Sequence, residues 1–412
     1  MRHSFPLLRQ PHIVRSMQAS TRIGLVFSHT LAYCRGVLRG IKHYAETVPH
    51  WTFLPVSPEP QAIRTLRSLR PAAVIAHLFS EELAESLKRL RVPVVNVCGV
   101  LPKSAFPRIG VDDYRCGVLA AEHLLERGFR HFGFVGHRNH VYSLRREAGF
   151  RERIASSGAS VTSYHEPGRR PFDPMGRLWA QDRAVERWVR VLPRPVGIFA
   201  TNDIWGVQLT EVCLRADLRV PEDVAILGVD DDDLLCEFAR PSLSSIALPT
   251  QRIGYEAARE VDRLLRGAQA DARISLFPPL GVIARRSTDI LAIGEVDVVA
   301  ALRFIRQQAH QPIRVTDLLR KIPTSRRYLE RRFRKVLGRS ILDEIRRVHV
   351  ERARQLLAQT DLPIHSIAER SGFTDAKRFS AVFRQMIGLT PSTYRQQLRC
   401  GTMRKPTSQR AT

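Results

Sequence analysis

Three cations, Lys377, Arg378 and Arg384, interrupt an apolar pattern in the stretch PIHSIAERSGFTDAKRFSAVFRQMIGLTPSTYR, residues 363–395. Ile364, Ile367 and Ala368 recur at helical spacing; Gly372 breaks the pattern in a turn; Phe379, Phe383 and Met386 resume it. With the apolar stripe facing inward, the cations face outward. A guanidinium there can grip the two acceptors of a guanine, and either cation can meet a phosphate. Helix, tight turn and cation-bearing helix make a helix-turn-helix: the first helix braces and the second enters the major groove of DNA. Residues at the start of the second helix reach base edges and later cations reach phosphates. Asp375, Lys377, Arg378 and Ser380 are therefore the expected base readers, and Arg384 the expected phosphate contact.

A second unit of the same kind lies upstream. Val315, Leu318 and Leu319 mark its bracing helix, Ile322–Thr324 its turn, and Ser325 an N-cap for the helix SRRYLERRFRKVLG. Leu329, Phe333 and Val336 are its expected buried face, and Arg326, Arg327 and Arg331 its expected contacts with DNA. Between the units, the 19 residues Ile341–Gln359 read as one helix. At about 1.5 Å per residue it would span roughly 28 Å, close to the ~34 Å between successive major-groove faces.

A different chemistry sits near the middle of the chain. Asp203 (in TNDI) and Asp230 (in GVDDDD) directly follow apolar runs that read as strands. In doubly wound sheets, ligands bind beyond the carboxyl ends of strands. A carboxylate there can accept hydrogen bonds from adjacent sugar hydroxyls, and Arg146 (in RREAGF) can donate two back. Blander roles exist for each. Asp203 also suits an N-cap, Asp230–Asp233 suits a solvated turn, and Arg146 suits an exposed helix face. Four adjacent acids on one loop rarely converge on an ion, so no metal is expected.

The elements that must position these residues fall into two regimes. From Arg22, apolar runs (23–27, 51–56, 72–78, 92–97, 131–136, 196–201 and 224–230) alternate with amphipathic segments, 34–47, 81–90, 114–127, 145–156, 179–191, 203–216 and 251–266. That alternation predicts an α/β fold with parallel sheets, and its length calls for two lobes. Beyond residue 295 every signal is helical. The expected organisation is a basic leader 1–21, a two-lobed domain 22–288, a linker 289–295, an all-α domain 296–398 with two helix-turn-helix units, and a basic tail 399–412.

The 412 residues are 44% apolar, which is ample for several cores, and carry a net charge of +25. Residues 296–412 hold 25 Lys+Arg against 9 Asp+Glu. A cationic field of that density in one small domain attracts a polyanion. The six cysteines show no metal-ligand spacing and read as buried thiols of a reducing compartment. No apolar stretch approaches a membrane span, and the leader lacks the apolar core of a signal peptide. A cytoplasmic protein is expected.

The segments ARQLLAQTDLPIHSIAERSGF, FSAVFRQMIG and LTPSTYR resemble the AraC-type family of transcription regulators. The resemblance covers residues 296–398, with Pro323 standing where many members have Gly. The segments VDDYRCGVLAAEHLLERGFRHFGFVG, RREAGF, IFATNDIWG and VPEDVAILGVDDDDL are similar to the effector domain of LacI-type repressors, whose fold is that of periplasmic sugar-binding proteins. This resemblance implies a sugar-contacting role for Arg146, Asp203 and Asp230, and a cleft-lining role for the loop from Ser28 to Tyr33. Together the two imply a ligand-responsive, sequence-specific regulator: a homodimer that activates genes of sugar (pentose-type) catabolism with RNA polymerase as a partner and without a cofactor. The competing expectation is a sugar-processing enzyme fused to a DNA reader. It lacks support in the sequence, which contains no glycine-rich phosphate loop after a strand, no HExxH and no GxSxG.

Overall fold

The structure is a computed structural model that describes residues 20–102, 105–166, 183–269, 274–290, 296–360 and 362–400. Most of the expected leader (1–19), part of the expected linker (291–295), the first residues of the helix predicted from Trp179, the side chain of Val336 and the tail beyond Cys400 lie outside the described residues.

The first lobe is built on β1 (Thr21–Val26), β2 (Trp51–Val56), β3 (Ala73–Ala76), β4 (Val94–Asn96) and β5 (Arg108–Val111). Among them run α1 (Ala32–Ala45), α2 (Pro60–Ser68) and α3 (Glu81–Lys88). The chain then crosses to the second lobe through α4 (Asp113–Leu125), β6 (His131–His137), α5 (Val141–Ala155), β7 (Val161–Glu166), α6 (Arg183–Val191), β8 (Val196–Ala200), α7 (Asp203–Arg215), β9 (Val224–Asp230), α8 (Asp233–Phe238) and β10 (Ser244–Ala247). It returns to the first lobe with α9 (Thr250–Leu265) and β11 (Ile274–Phe277), then crosses a third time to β12 (Gly281–Ile283) and a single 3-10 turn, Arg286–Thr288.

The sheet orders are β11-β5-β4-β3-β1-β2 and β12-β10-β9-β8-β6-β7. Among the described residues, every pairing is parallel except β10 with β12. Central strands such as β8 (VGIFA) are buried along their whole length, as parallel strands covered by helices on both faces must be. Among the described residues, three chain crossings therefore join two doubly wound lobes, at residue 112, at 248–249 and at 278–280.

The third region is helical: α10 (Val296–Gln307), α11 (Val315–Lys321), α12 (Arg326–Leu337), α13 (Ile341–Gln359), α14 (Ile364–Arg370), α15 (Ala376–Ile387) and α16 (Pro391–Cys400). Its boundaries follow from capping chemistry. Ser325 accepts from Tyr328 N, Ser340 and Asp343 form a capping box, and Asp375 accepts from Arg378 N. Gly338 and Gly388 end α12 and α15 in the left-handed conformation. Helix α13 belongs to two cores. Its Ile341 and Ile345 pack with Leu318, Leu329 and Phe333, while its Val350, Ala353 and Leu357 pack with Ile367, Phe379 and Phe383.

Where the fold departs from the sequence reading, local causes are visible. Helix α5 begins at Val141 rather than at the predicted Arg145, because its first turn, VYSL, carries no helical cap signal. Strands β5 (RIGV), β10 (SSIA), β11 (ISLF) and β12 (GVI) are three or four residues long and, unlike the equally short β3 and β4, do not sit inside a longer apolar run. Met386, expected to face inward, is 42% exposed; the interior of that helix is filled by Phe379 and Phe383.

Candidate functional site: an interlobe cleft and two reading helices

Helices α4 and α5 touch at backbone distance, and two glycines allow it. A Cβ on Gly117 would lie 1.9 Å from the Arg146 carbonyl oxygen, and one on Gly149 2.0 Å from that of Tyr114. Any larger residue would force the helices apart. This contact sets the first turn of α4 against α5 and brings Arg146 Nε to 3.0 Å from Asp113 Oδ1. Both residues are buried, at 4% and 6% exposure. Arg146 Nη1 donates to the Thr201 carbonyl at 2.5 Å, and its guanidinium lies 4.9 Å from the centroid of the Tyr142 ring. From the first lobe, Arg108 Nη2 approaches Asp113 Oδ2 at 3.7 Å. Asp113 thus follows the first crossing directly and faces arginines of both lobes.

Electrostatics at this point are tightly balanced. Burial pushes the Asp113 carboxyl up, against the pull of Arg146 and Arg108. Burial also opposes the charge of Arg146, yet Asp113 and the other acidic groups around it raise its pKa above the usual value. Asp230, at the end of β9, is pushed up to about 7: burial is the main cause, Arg146 opposes it, and Asp113 adds to it. Its backbone is unusual as well. Asp230 has φ 111 and Asp231 φ 51, a region that side-chain-bearing residues rarely adopt and that costs on the order of 1–3 kcal/mol. Such strain persists where the surroundings over-determine it, and it collects at ligand clamps.

The sequence-predicted residues sort as follows. Arg146 and Asp230 share one electrostatic environment at the strand ends. Asp203 is committed to the interior of its own lobe: Oδ1 accepts from Ser245 Oγ at 2.5 Å, and Oδ2 accepts from Asp232 N at 2.8 Å and Cys236 Sγ at 3.4 Å. It braces the turn that carries Asp230 to Asp232 and is 1% exposed, so its carboxylate presents no free oxygen for direct contact with a ligand. Nor is it the helix cap: Asn202 is, accepting from Trp205 N at 3.0 Å. Tyr33 donates its hydroxyl to the Val97 carbonyl at 2.6 Å and packs 5.8 Å from the His77 ring, bridging α1 to the end of β4. Ser28 pairs with Thr30 at 2.8 Å at the end of β1.

Sequence reasoning missed Asp113, Arg108 and Tyr142. The pair Asp112–Asp113 was visible after an apolar run; which acid faces Arg146 became apparent only from the α4–α5 contact. It also missed an aromatic group on the second lobe. Trp205 Nε1 donates to His137 Nε2 at 3.0 Å, which places the His137 proton on Nδ1, facing Glu166 Oε2 at 3.4 Å. The His140 ring lies 4.2 Å from that of His137. Among the described residues, no three His, Cys, Asp or Glu side chains gather as metal ligands.

The second surface is formed by α12 and α15. Arg326, Arg327 and Arg331 on α12 are exposed, as are Lys377, Arg378 and Arg384 on α15. Arg331 and Arg332 flank the Tyr328 ring at 5.7 and 5.1 Å. Ser380 is half-buried. Asp375 accepts from Arg378 N at 2.8 Å, so its carboxylate first serves as the N-cap that the sequence reading did not give it. No described helix is long and apolar enough to cross a membrane.

Comparison with known proteins agrees with both halves. Residues 121–288 match the periplasmic binding protein-like domain family, and residues 318–397 match a helix-turn-helix domain family. The xylose operon regulatory protein of Escherichia coli K12 is 30% identical over 384 residues, covering 91% of this chain and 96% of that protein. The Haemophilus influenzae protein of the same name is 28% identical over 383 residues, covering 91% of this chain and 98% of its own. A solved structure of the xylose-binding transcription activator xylR aligns over 91% of this chain and 97% of that one, with a TM-score of 0.57 and 28% identity.

Proposed function

The chain belongs to the family of the xylose operon regulatory proteins, and we propose that it senses a small sugar of the pentose class in its interlobe cleft and passes that state to a two-headed DNA reader. It is a DNA-binding regulator of transcription with a periplasmic-binding-protein-like sensor, not an enzyme. In this reading the sensor spans 22–288, the linker 289–295 and the reader 296–398.

The observation that carries the sugar assignment is the Arg146–Asp113 pair beside Asp230 at the strand ends. A polyol needs donors and acceptors fixed a few ångströms apart. Arg146 supplies a rigid donor fork, Asp230 supplies an acceptor held by a strained backbone, and Tyr142 supplies an apolar face. Closure around the ligand shifts the equilibrium between open and closed lobes only by the ligand's differential affinity for the two. A homodimer, activation through RNA polymerase and a cytoplasmic location complete the proposal. On DNA, Arg326, Arg327 and Arg331 on α12, with Lys377, Arg378 and Ser380 on α15, would read adjacent major grooves. Arg384 would hold phosphate.

The test is a thermal-shift screen of the full chain against pentoses, hexoses and organic acids, D-xylose among them. A ligand at 100 times its dissociation constant stabilises by about 2.7 kcal/mol, a shift of several degrees. Arg146→Lys should abolish that shift. The sugar reading is overturned if no sugar stabilises the chain, or if one stabilises wild type and Arg146→Lys alike.

A further inference from the structure

Helix α13 was read from the sequence as a spacer between two reading heads. Its third face does something else. Arg347, Glu351 and Gln355 stand at i, i+4 and i+8, on one side of the helix. Arg347 and Gln355 hydrogen-bond to the second lobe, and Glu351, paired with Arg354, lies close to it. Arg347 Nη1 bonds to Glu126 Oε2, at the C-terminal cap of α4. Glu351 Oε1 lies 3.3 Å from where a Cβ on Gly281 would be, and Gln355 Nε2 donates to the Val282 carbonyl at 3.0 Å. Arg347 is further fixed by Glu344, which is fully buried and also bonds to Arg339.

The places touched are informative. Glu126 ends the helix that begins at the first interlobe crossing, and that helix's first residue is Asp113, the partner of Arg146. At about 1.5 Å per residue, the 13 residues of α4 form a rod of roughly 20 Å. Gly281 and Val282 open β12, directly after the third crossing. One face of α13 therefore grips the two elements of the second lobe that leave the hinges. Glu126 is also a carboxylate at a helix C-terminus, where the helix dipole disfavours it, and Arg347 offsets that unfavourable term. Beside this contact, a cavity of about 310 Å³, lined among the described residues by Asp289, Ile290, Arg303, Arg306 and Gln307, separates α10 from the chain leaving the sensor.

We propose that the Arg347–Glu351–Gln355 face of α13 is an intramolecular docking surface for the hinge-side edge of the second lobe, and that through it cleft closure sets the orientation of both reading helices. Because α13 contributes to the cores of both helix-turn-helix units, a shift of this one helix moves both heads together. The regulatory part of this inference rests on the sugar-sensor reading above; the docking part does not.

The test uses hydrogen exchange on the full chain, comparing wild type with Glu126→Gln, Gln355→Ala and the double variant. Without sugar, the double variant should exchange about tenfold faster along the docked face of α13 and at β12, with the cleft segments around Asp113 and Arg146 unchanged. Unchanged exchange at α13 and β12 overturns the docking surface. With D-xylose, or another sugar that protects the cleft, wild type should show altered exchange in α13. The double variant should keep sugar affinity within about twofold and lose the α13 response. A response that survives in the double variant, or a protected cleft with no α13 response in wild type, overturns the coupling. A panel in which no sugar protects the cleft refutes the sensor reading and its coupling together, and the sugar-free comparison alone then decides the docking.

Discussion

Asp113 receives Arg146 at 3.0 Å from its own lobe and Arg108 at 3.7 Å from the other, so one buried carboxylate ties arginines of both lobes together beside the first crossing. The pair is structural before it is functional. Removing one partner of a buried ion pair costs about 3–5 kcal/mol, because the remaining charge stays desolvated. Asp113→Asn should therefore lower the sensor's melting temperature by on the order of 10 °C in scanning calorimetry, and Arg146→Ala should do so less, since Arg108 still faces Asp113. Both should lose effector binding. The reader has its own two cores, so sugar-independent affinity for DNA should persist in both variants. Equal melting temperatures for Asp113→Asn and wild type would show that the pair contributes nothing to the fold.

We expect effector binding to depend on pH through Asp230. Its carboxyl holds a proton up to about 7 in the folded chain, against roughly 4 when unfolded. The folded state binds the extra proton in that window, so without ligand its stability falls as pH rises from about 4 to 7. A sugar that uses the carboxylate as acceptor needs the ionised form, so its affinity should rise with pH through the same region. The dissociation constant, followed by titration calorimetry, should therefore fall as pH rises through this region. Asp230→Asn should flatten that profile. Asn also tolerates the positive φ at this position, which separates charge from strain.

The legible parts of the fold were those set by local chemistry. Helix α13 runs to the predicted end residues, and the structure shows why its start is sharp: Ser340 and Asp343 cap it, and an apolar repeat runs on to Leu357. The strand before Asp203 showed as an apolar run because both faces of β8 are covered. Asp113 was hidden because its role depends on a partner 33 positions away and on two glycines whose helices meet only in the folded state. Asp203 misled for a related reason. Its place after a strand suggested a ligand contact, whereas its oxygens are occupied by Ser245, Asp232 and Cys236, which no spacing rule connects to it.

Gly372 tests the joint between the two reading units. Its φ is 77, and a Cβ there would meet the Gln311 carbonyl oxygen and His349 Nε2, each at 2.6 Å. Gln311 lies between α10 and α11, and His349 lies on α13, so the turn of the second unit is wedged against parts of the first. Gly372→Ala combines a strained backbone with two clashes and should cost about 2 kcal/mol or more, seen as a lower urea midpoint for the reader. Affinity for DNA should fall, with the sensor's transition unaffected. An unshifted midpoint would mean that the turn has room the structure does not show.

The cations of α15 are expected to divide by position. Lys377 and Arg378 stand in its first turn and Arg384 in its last, and all three are exposed. On a duplex selected from a random pool, Arg378→Ala should cost about 1–3 kcal/mol and relax the preference at one base pair. Arg384→Ala should weaken selected and random duplexes alike and reduce the slope of log affinity against log salt by about one. Asp375 separates two roles in one side chain. As an N-cap it tolerates Asn, whereas Ala costs about 1 kcal/mol of helix stability. As a reader of a cytosine amine it tolerates neither. If Asp375→Asn binds the selected duplex as well as wild type, Asp375 is a cap alone. If Asn and Ala weaken binding equally on that duplex while the melting temperature falls only for Ala, the carboxylate reads a base in addition to holding the helix.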